Sequence, residues 1–259
     1  MREWMLHELT REDITNKARS GYAVVVPLAA TEQHGPHLPV YTDSLICEHI
    51  TTEAISKAAD QVPILMAPVL TIGCSQHHLS FGGTLSFTSS TYLQVLKDIG
   101  ESLITDGFTK IIFLNAHGGN EPIMIQTAND LAVRHPIWVA SASYWHLASA
   151  ALKEMGAAEI GMVPGHAGGF ETAAVLALAP EQVRQDRIQT THTEREWITK
   201  GRPGTFIGKH RELTGVDGYT DAPYKATAEA GRKYLSCIVD CVAEWLITTV
   251  QAMEKGSVE

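Results

Sequence analysis

The sequence predicts an α/β fold: a single domain over residues 1–259, built on a largely parallel sheet flanked by helices. Three observations predict it. Four apolar runs, around Tyr22–Leu28, Ile64–Leu70, Lys110–Asn115 and Ile137–Tyr144, read as continuously buried strands rather than half-exposed alternating ones. Helical patterns separate them, giving the strand–helix alternation of a parallel sheet covered on both faces. Ionisable residues gather directly after each run, where such sheets carry their sites, beyond the carboxyl ends of the strands.

In order, Thr10 with Asp13 three residues later gives a capping-box signal for a short helix that Gly21 stops. The first strand follows. Thr42 or Asp43 is placed to cap a helix through Ala59, ahead of the run Ile64–Leu70. Ser89 or Ser90 is placed to cap the next helix, which ends at Gly107, and Ile111-Ile-Phe-Leu114 marks the clearest strand. A helix from Glu121 to Val133 and a strand from Ile137 to Tyr144 repeat the unit. Val163–Gly169 is a glycine-rich loop containing His166, and Phe170 opens a helix with Glu171 in its first turn. Residues 185–222 show no sustained period and read as a long excursion or lid. A closing helix, Lys225 to about Val250, carries Tyr234, Cys237, Val239 and Trp245 at helical spacing, as core or subunit-contact residues.

Composition narrows the function. With 44% hydrophobic and 19% charged residues, the chain can bury a sizeable core. Twenty Lys and Arg against 29 Asp and Glu give a formal charge of -9, a field that repels phosphate backbones, so nucleic acid is not an expected partner. No run supplies the roughly 20 uninterrupted apolar residues of a membrane span, and Met1–Glu12 lacks the apolar core of a signal peptide. A cytoplasmic protein with no membrane partner is expected. Cys47, Cys74, Cys237 and Cys241 form no C-x-x-C pair and no disulfide framework.

The chemistry concentrates in a few stretches. Glu32-Gln-His34-Gly leaves the first strand with His37 and Asp43 close behind. In extended backbone Glu32 and His34 point to the same side, and carboxylate beside imidazole is the usual inventory for a divalent metal. His117 follows the third strand directly, with Gly118 and Gly119 leaving room for a ligand or offering backbone N–H groups. His77 and His78 are adjacent, so in an extended chain only one would face the crevice. Tyr144 and Trp145 end the fourth strand.

Taken together, Glu32-Gln-His34-Gly with Asp43, His78-x-x-Phe-x-Gly-Thr-x-Ser86, Asn115-x-His117-Gly-Gly-Asn120 and His166-x-Gly-Gly-Phe-Glu171-Thr resemble the creatininase (creatinine amidohydrolase) family. The resemblance runs from about the first helix to Gly231 with the motifs in family order. It implies two divalent metals per chain, zinc or manganese foremost and iron or nickel also compatible, held by Glu32, His34, Asp43, His117 and Glu171 with Asp43 as the bridge. It further implies His166 as acid/base, with Glu171 beside it in the catalytic set. His78, Tyr144, Trp145, Gly118 and Gly119 are then placed at the substrate, and the protein is expected to form homo-oligomers, hexamers foremost.

One departure matters. Members acting on creatinine carry an aromatic residue and then a carboxylate where this chain has Gly118 and Gly119, which points to a His-Gly-Gly branch and away from creatinine. The expected reaction is hydrolysis of a C–N bond in a small cyclic amide or formamide-like molecule, by a hydroxide formed between two metals that lower the pKa of a shared water. The resemblance also allows ring opening of a keto-cyclitol or trimming of a short peptide. A non-catalytic metal-binding scaffold is the contrasting expectation, which would show in a broken ligand set.

Overall fold

Four parallel strands order as β2–β1–β3–β4: β1 (Ala23–Leu28), β2 (Ile64–Met66), β3 (Lys110–Asn115) and β4 (Trp138–Ser143). The computed structural model describes residues 2–190, 196–199, 205, 207–210, 212–215 and 217–256. Register is fixed across the centre by pairs such as Val26 with Phe113 and Leu28 with Asn115. The chain steps from β1 to β2 on one side and to β3 on the other, so the topological switch point lies between β1 and β3, where a crevice must open.

Both faces of the sheet are covered over β1, β2 and β3, where the period of two sorts the strand residues between them. β4 departs from the continuous burial expected of it, because at the sheet edge Trp138 is exposed and residues 139–142 are only half-buried. Ala23, Val25, Ile112 and Leu114 face α2 (Thr42–Ala58), α7 (Gly169–Leu178) and α9 (Ala228–Lys255). Val24, Val26, Ile111 and Phe113 face α3 (Ser89–Thr105) and α4 (Glu121–Arg134), meeting Tyr92, Leu96, Met124 and Leu131. The long helix α9 is apolar and long enough by itself to cross a membrane. Here it is a core helix, with Ile238, Val242, Leu246 and Val250 sealed against the sheet layer.

Most element expectations hold, and the exceptions have local causes. The capping box at Thr10 and Asp13 opens α1 (Arg11–Arg19) as read. Neither Thr42 nor Asp43 caps α2: Tyr41 stands at the N-cap position without a side-chain bond, Thr42 donates to the Pro39 carbonyl, and Asp43 turns inward to the site. Thr88, not Ser89 or Ser90, caps α3, its hydroxyl accepting from Thr91 N–H. The second apolar run stops as a ladder at Met66, two residues before Pro68, whose missing N–H ends regular pairing. The closing helix starts at Ala228 behind a Thr227 cap rather than at Lys225. Between β4 and α7 run two short helices, α5 (Tyr144–Leu147) and α6 (Ser149–Glu154), and a single helical turn, α8 (Glu196–Thr199), follows α7. Within the excursion expected over residues 185–222, positions 191–195, 200–204, 206, 211 and 216 lie outside the described residues.

Candidate metal centre

The switch point between β1 and β3 is where the ionisable residues converge. Glu32 and His34 leave β1, His117 leaves β3, Asp43 comes from the first turn of α2, and Glu171 from the first turn of α7. All five are buried, although acidic side chains are almost never sealed away unpaired.

Their donor atoms form two lobes. In one, His34 Nε2 lies 3.2 Å from Asp43 Oδ1 and 3.7 Å from Glu171 Oε2. In the other, His117 Nδ1 lies 3.1 Å from Asp43 Oδ2 and 3.2 Å from Glu32 Oε1. Asp43 therefore presents one oxygen to each lobe. Both oxygens of Glu32 and Asp43 Oδ2 are fully buried and accept no hydrogen bond. An orphaned buried acceptor costs of order 1–3 kcal/mol, and three such oxygens on two neighbouring carboxylates, two of them beside His117 Nδ1, mark a pocket suited to cations. The donor set of carboxylate oxygens and imidazole nitrogens, without thiolate, fits divalent metals of the zinc, manganese, iron and nickel type.

The electrostatics say the same. Burial alone would depress His34, yet Asp43, with Glu171 and Glu32 behind it, raises it to about 10. Burial likewise opposes the charged form of His117, but Glu32 and Asp43 hold its pKa well above the ordinary value. Burial pushes Glu171 up to about 8, with Asp43 and Glu32 adding and His34 opposing. Without metals, the carboxylates of this pocket recruit protons as substitute cations.

Around the donors runs a net of fixed hydrogen bonds. The Gln33 amide is oriented by two backbone groups: Gly35 N–H donates to Oε1 at 2.9 Å, and Nε2 donates to Gly218 C=O at 2.8 Å. Nε2 also lies 2.8 Å from His78 Nδ1, which must accept, so the ring proton of neutral His78 sits on Nε2 and faces Glu32 Oε1 at 3.4 Å. His166 Nε2 lies 3.0 Å from the Gln33 amide nitrogen and 2.9 Å from the Gln33 main-chain carbonyl. With the two amide hydrogens engaged by His78 and Gly218, it donates to the carbonyl, leaving the Nδ1 lone pair facing Glu32 Oε1 at 3.5 Å. Burial and the neighbouring His78 and His34 keep His166 neutral, well below the ordinary imidazole value. On the β3 side, Asn115 Oδ1 accepts from His117 N–H, while its amide donates to the His117 carbonyl and to Ser143. His117 Nε2 is held 3.2 Å from both Ser75 Oγ and the Cys74 carbonyl, the outer hydrogen bonding that orients a metal-binding imidazole.

The remaining expected residues take varied places. His78 is buried within the cluster, but His77 approaches it too, because Gln76–Phe81 is a 3-10 turn rather than extended chain; the two rings are 4.1 Å apart. Gly118 has open space where a side chain would stand, whereas a Cβ on Gly119 would run into the Cys74 carbonyl and His117. Tyr144 is buried beneath the site; burial first, then the charges of Glu171 and Asp43, raise its phenol well above its ordinary value. Trp145 lines a cavity of about 740 Å³ with His146, Lys153 and Tyr224. The cleft of about 580 Å³ that reaches Gln33 and His34 is walled instead by Val40, Phe81, Asp217 and Tyr219.

Sequence reading gave no role to Gln33, Thr220 or Asp221. Thr220 N–H donates to the His166 carbonyl and its hydroxyl accepts from His166 N–H, while Asp221 accepts from Met162 and Gly169 N–H. The signal for Gln33 was its place between two ligand candidates; nothing local marked Thr220 and Asp221, which are more than 50 residues from their partners.

Comparison with known proteins gives the same answer. The creatininase family profile, described as creatinine amidohydrolase, matches residues 7–246. A mycofactocin precursor peptide peptidase of Mycobacterium tuberculosis (strain CDC 1551 / Oshkosh) is 29% identical over 245 residues, covering 86% of each chain. A creatinine amidohydrolase of Pseudomonas putida is 28% identical over 197 residues, covering 70% of this chain and 74% of its own. A solved mutant creatininase of Zn-Zn type superposes with a TM-score of 0.80 at 23% identity, covering 95% of this chain and 98% of that one. With the fold, the motif order and a match over nearly the whole length in agreement, the chain belongs to the creatininase family of metal-dependent hydrolases acting on C–N bonds.

Proposed function

We propose that this chain is a dinuclear hydrolase that cleaves the C–N bond of a small cyclic amide or formamide-like substrate. The observation that carries the reading is Asp43, whose two oxygens face His34 in one lobe and His117 in the other, 3.2 and 3.1 Å away. Glu32 and His117 complete one half and His34 and Glu171 the other. Zinc and manganese suit these donors best, with iron and nickel compatible. When bound, the cations supply an activated water at neutral pH and polarise the scissile carbonyl.

The chain's own groups then divide the proton work. His166, neutral and with its lone pair on Nδ1, is set to take a proton from the attacking water and hand it to the departing nitrogen. His78 directs an N–H at the same point and can donate to developing negative charge on the substrate oxygen. The relatives' printed activities, on creatinine and on a precursor peptide, both break C–N bonds. The open space over Gly118 favours a ligand other than creatinine, and together with the peptidase relative it supports a second reading, trimming of a short peptide. The reading carries with it a cytoplasmic homo-oligomer, hexameric by resemblance, for which sedimentation equilibrium is the test.

Elemental mass spectrometry on the purified protein, with Asp43→Ala beside it, tests the centre. About two equivalents of metal, lost in the variant along with turnover of lactams, formamides or short peptides, are expected. Full turnover by Asp43→Ala would overturn the proposal.

A further inference from the structure

We infer that His77 is an additional ligand of the Glu32–His117 half of the centre, an inference that rests on the dinuclear reading above. One donor atom each from Glu32, His77 and His117 lies within 4.8 Å of the other two. The His77 ring runs nearly parallel to that of His117, 7° apart in plane with centroids separated by 5.9 Å, so both imidazoles enter the lobe from the same side.

The ring reaches this position because residue 119 has no side chain. A Cβ there would stand 3.1 Å from His77 Cε1 and 2.6 Å from His117 Nε2, wedged between the two imidazoles. Gly119 thus makes the approach of His77 possible, and the 3-10 turn Gln76–Phe81 brings it over the site.

Hydrogen bonding separates the adjacent histidines. His78 Nδ1 accepts from the oriented Gln33 amide, which puts the ring proton of the neutral form on Nε2, the atom facing Glu32; an N–H cannot donate a lone pair to a metal. His77 carries no such constraint: among the described residues its ring makes no hydrogen bond. It is therefore free to present a lone pair. The half of the centre that would otherwise draw on Glu32, His117 and one oxygen of Asp43 gains a neutral nitrogen donor, which favours a borderline-soft ion such as zinc over a hard one such as magnesium.

The test is competitive zinc titration of the full-length metal-free protein against a chromophoric chelator, together with visible absorption of the Co²⁺-substituted form, for wild type, His77→Ala and His77→Asp. Wild type is expected to bind two ions. His77→Ala is expected to keep one site at wild-type affinity, to weaken the other at least roughly 10-fold, and to change the Co²⁺ absorption of that site alone. His77→Asp, which restores a donor, is expected to recover most of the affinity and shows that the loop still folds. Two unchanged affinities with an unchanged Co²⁺ spectrum in His77→Ala would overturn the ligand assignment while leaving the dinuclear reading standing. Equal weakening of both sites would also overturn it, since His77 would then support the whole centre. Fewer than two ions on wild type would overturn the dinuclear reading and the assignment with it.

Discussion

Gln33 shows how much of the centre hangs on one uncharged side chain. Its amide is locked by Gly35 N–H and the Gly218 carbonyl, and through Nε2 and its own carbonyl it assigns the ring protons of His78 and His166. Neither imidazole could hold its tautomer by itself, because a neutral histidine exchanges the proton between its nitrogens freely until a partner fixes it. Gln33→Leu is expected to leave bound metal unchanged and to lower kcat on the order of 10²-fold with little change in KM, the range of a misdirected acid/base group. The ¹⁵N resonances of His78 should shift as its tautomers mix, while those of His166, held by the Gln33 main-chain carbonyl that leucine keeps, should stay in place. An unaltered ¹⁵N spectrum with normal kcat would remove Gln33 from this role.

At the scale of elements, the glycine-rich stretch before α7 is held by the far end of the 185–222 segment rather than by its own turns. Asp221 Oδ1 accepts from Gly169 N–H at 2.8 Å and Oδ2 from Met162 N–H at 3.2 Å, and Thr220 adds its own pair of bonds to His166. A carboxylate at the first N–H of α7 also complements the helix dipole. The clasp fixes His166 and, through α7, Glu171, whose Oε2 in turn accepts from Ala167 N–H. Asp221→Asn turns one acceptor into a donor facing a backbone N–H, and a loss of about 2 kcal/mol is expected from hydrogen bonds to a charged group. Chemical denaturation measures that loss, and zinc titration should show one weakened site, the one built on Glu171. Unchanged stability and affinity would mean that the loop holds its shape without Asp221.

For the molecule as a whole, the metal centre couples stability to pH. In the metal-free chain His34 is raised from its ordinary 6.5 to about 10, and Glu171 from 4.5 to about 8. A folded-state pKa above the unfolded one contributes stability that is complete below the unfolded value and disappears as pH climbs through the folded one. His78, depressed to about 3 by burial first, acts with the opposite sign, but only below 6.5. Above pH 6.5 the raised groups alone act, so the metal-free protein should melt at progressively lower temperature from about pH 6.5 to about 10. Zinc should flatten the trend, since bound ligands have already lost their protons. Thermal melts in chelator across that range, repeated with zinc, decide it; a melting temperature that rises with pH would contradict the charge assignment.

The sheet, most of its helices and five candidate donors were legible in the amino-acid sequence. Short, β-branched apolar runs bounded by turn residues, such as Ile111–Leu114, read as strands sealed on both faces, and the motif order from Glu32 to Glu171 places the donors after them. Element ends were legible only where the cap is local: Thr10 with Asp13 declared itself, whereas Asp43 read as a cap because its real partners, His34 and His117, stand on other elements. Tertiary structure alone decided that Asp43 faces two lobes, that Gln33 sets two imidazole tautomers, that both His77 and His78 reach the site, and that Thr220 and Asp221 clasp a loop more than 50 residues away. Periodicity reports which residues are buried, because burial is an average over a whole face; it carries no record of which buried donor meets which acceptor, since that depends on distances set by chain crossings far apart in sequence.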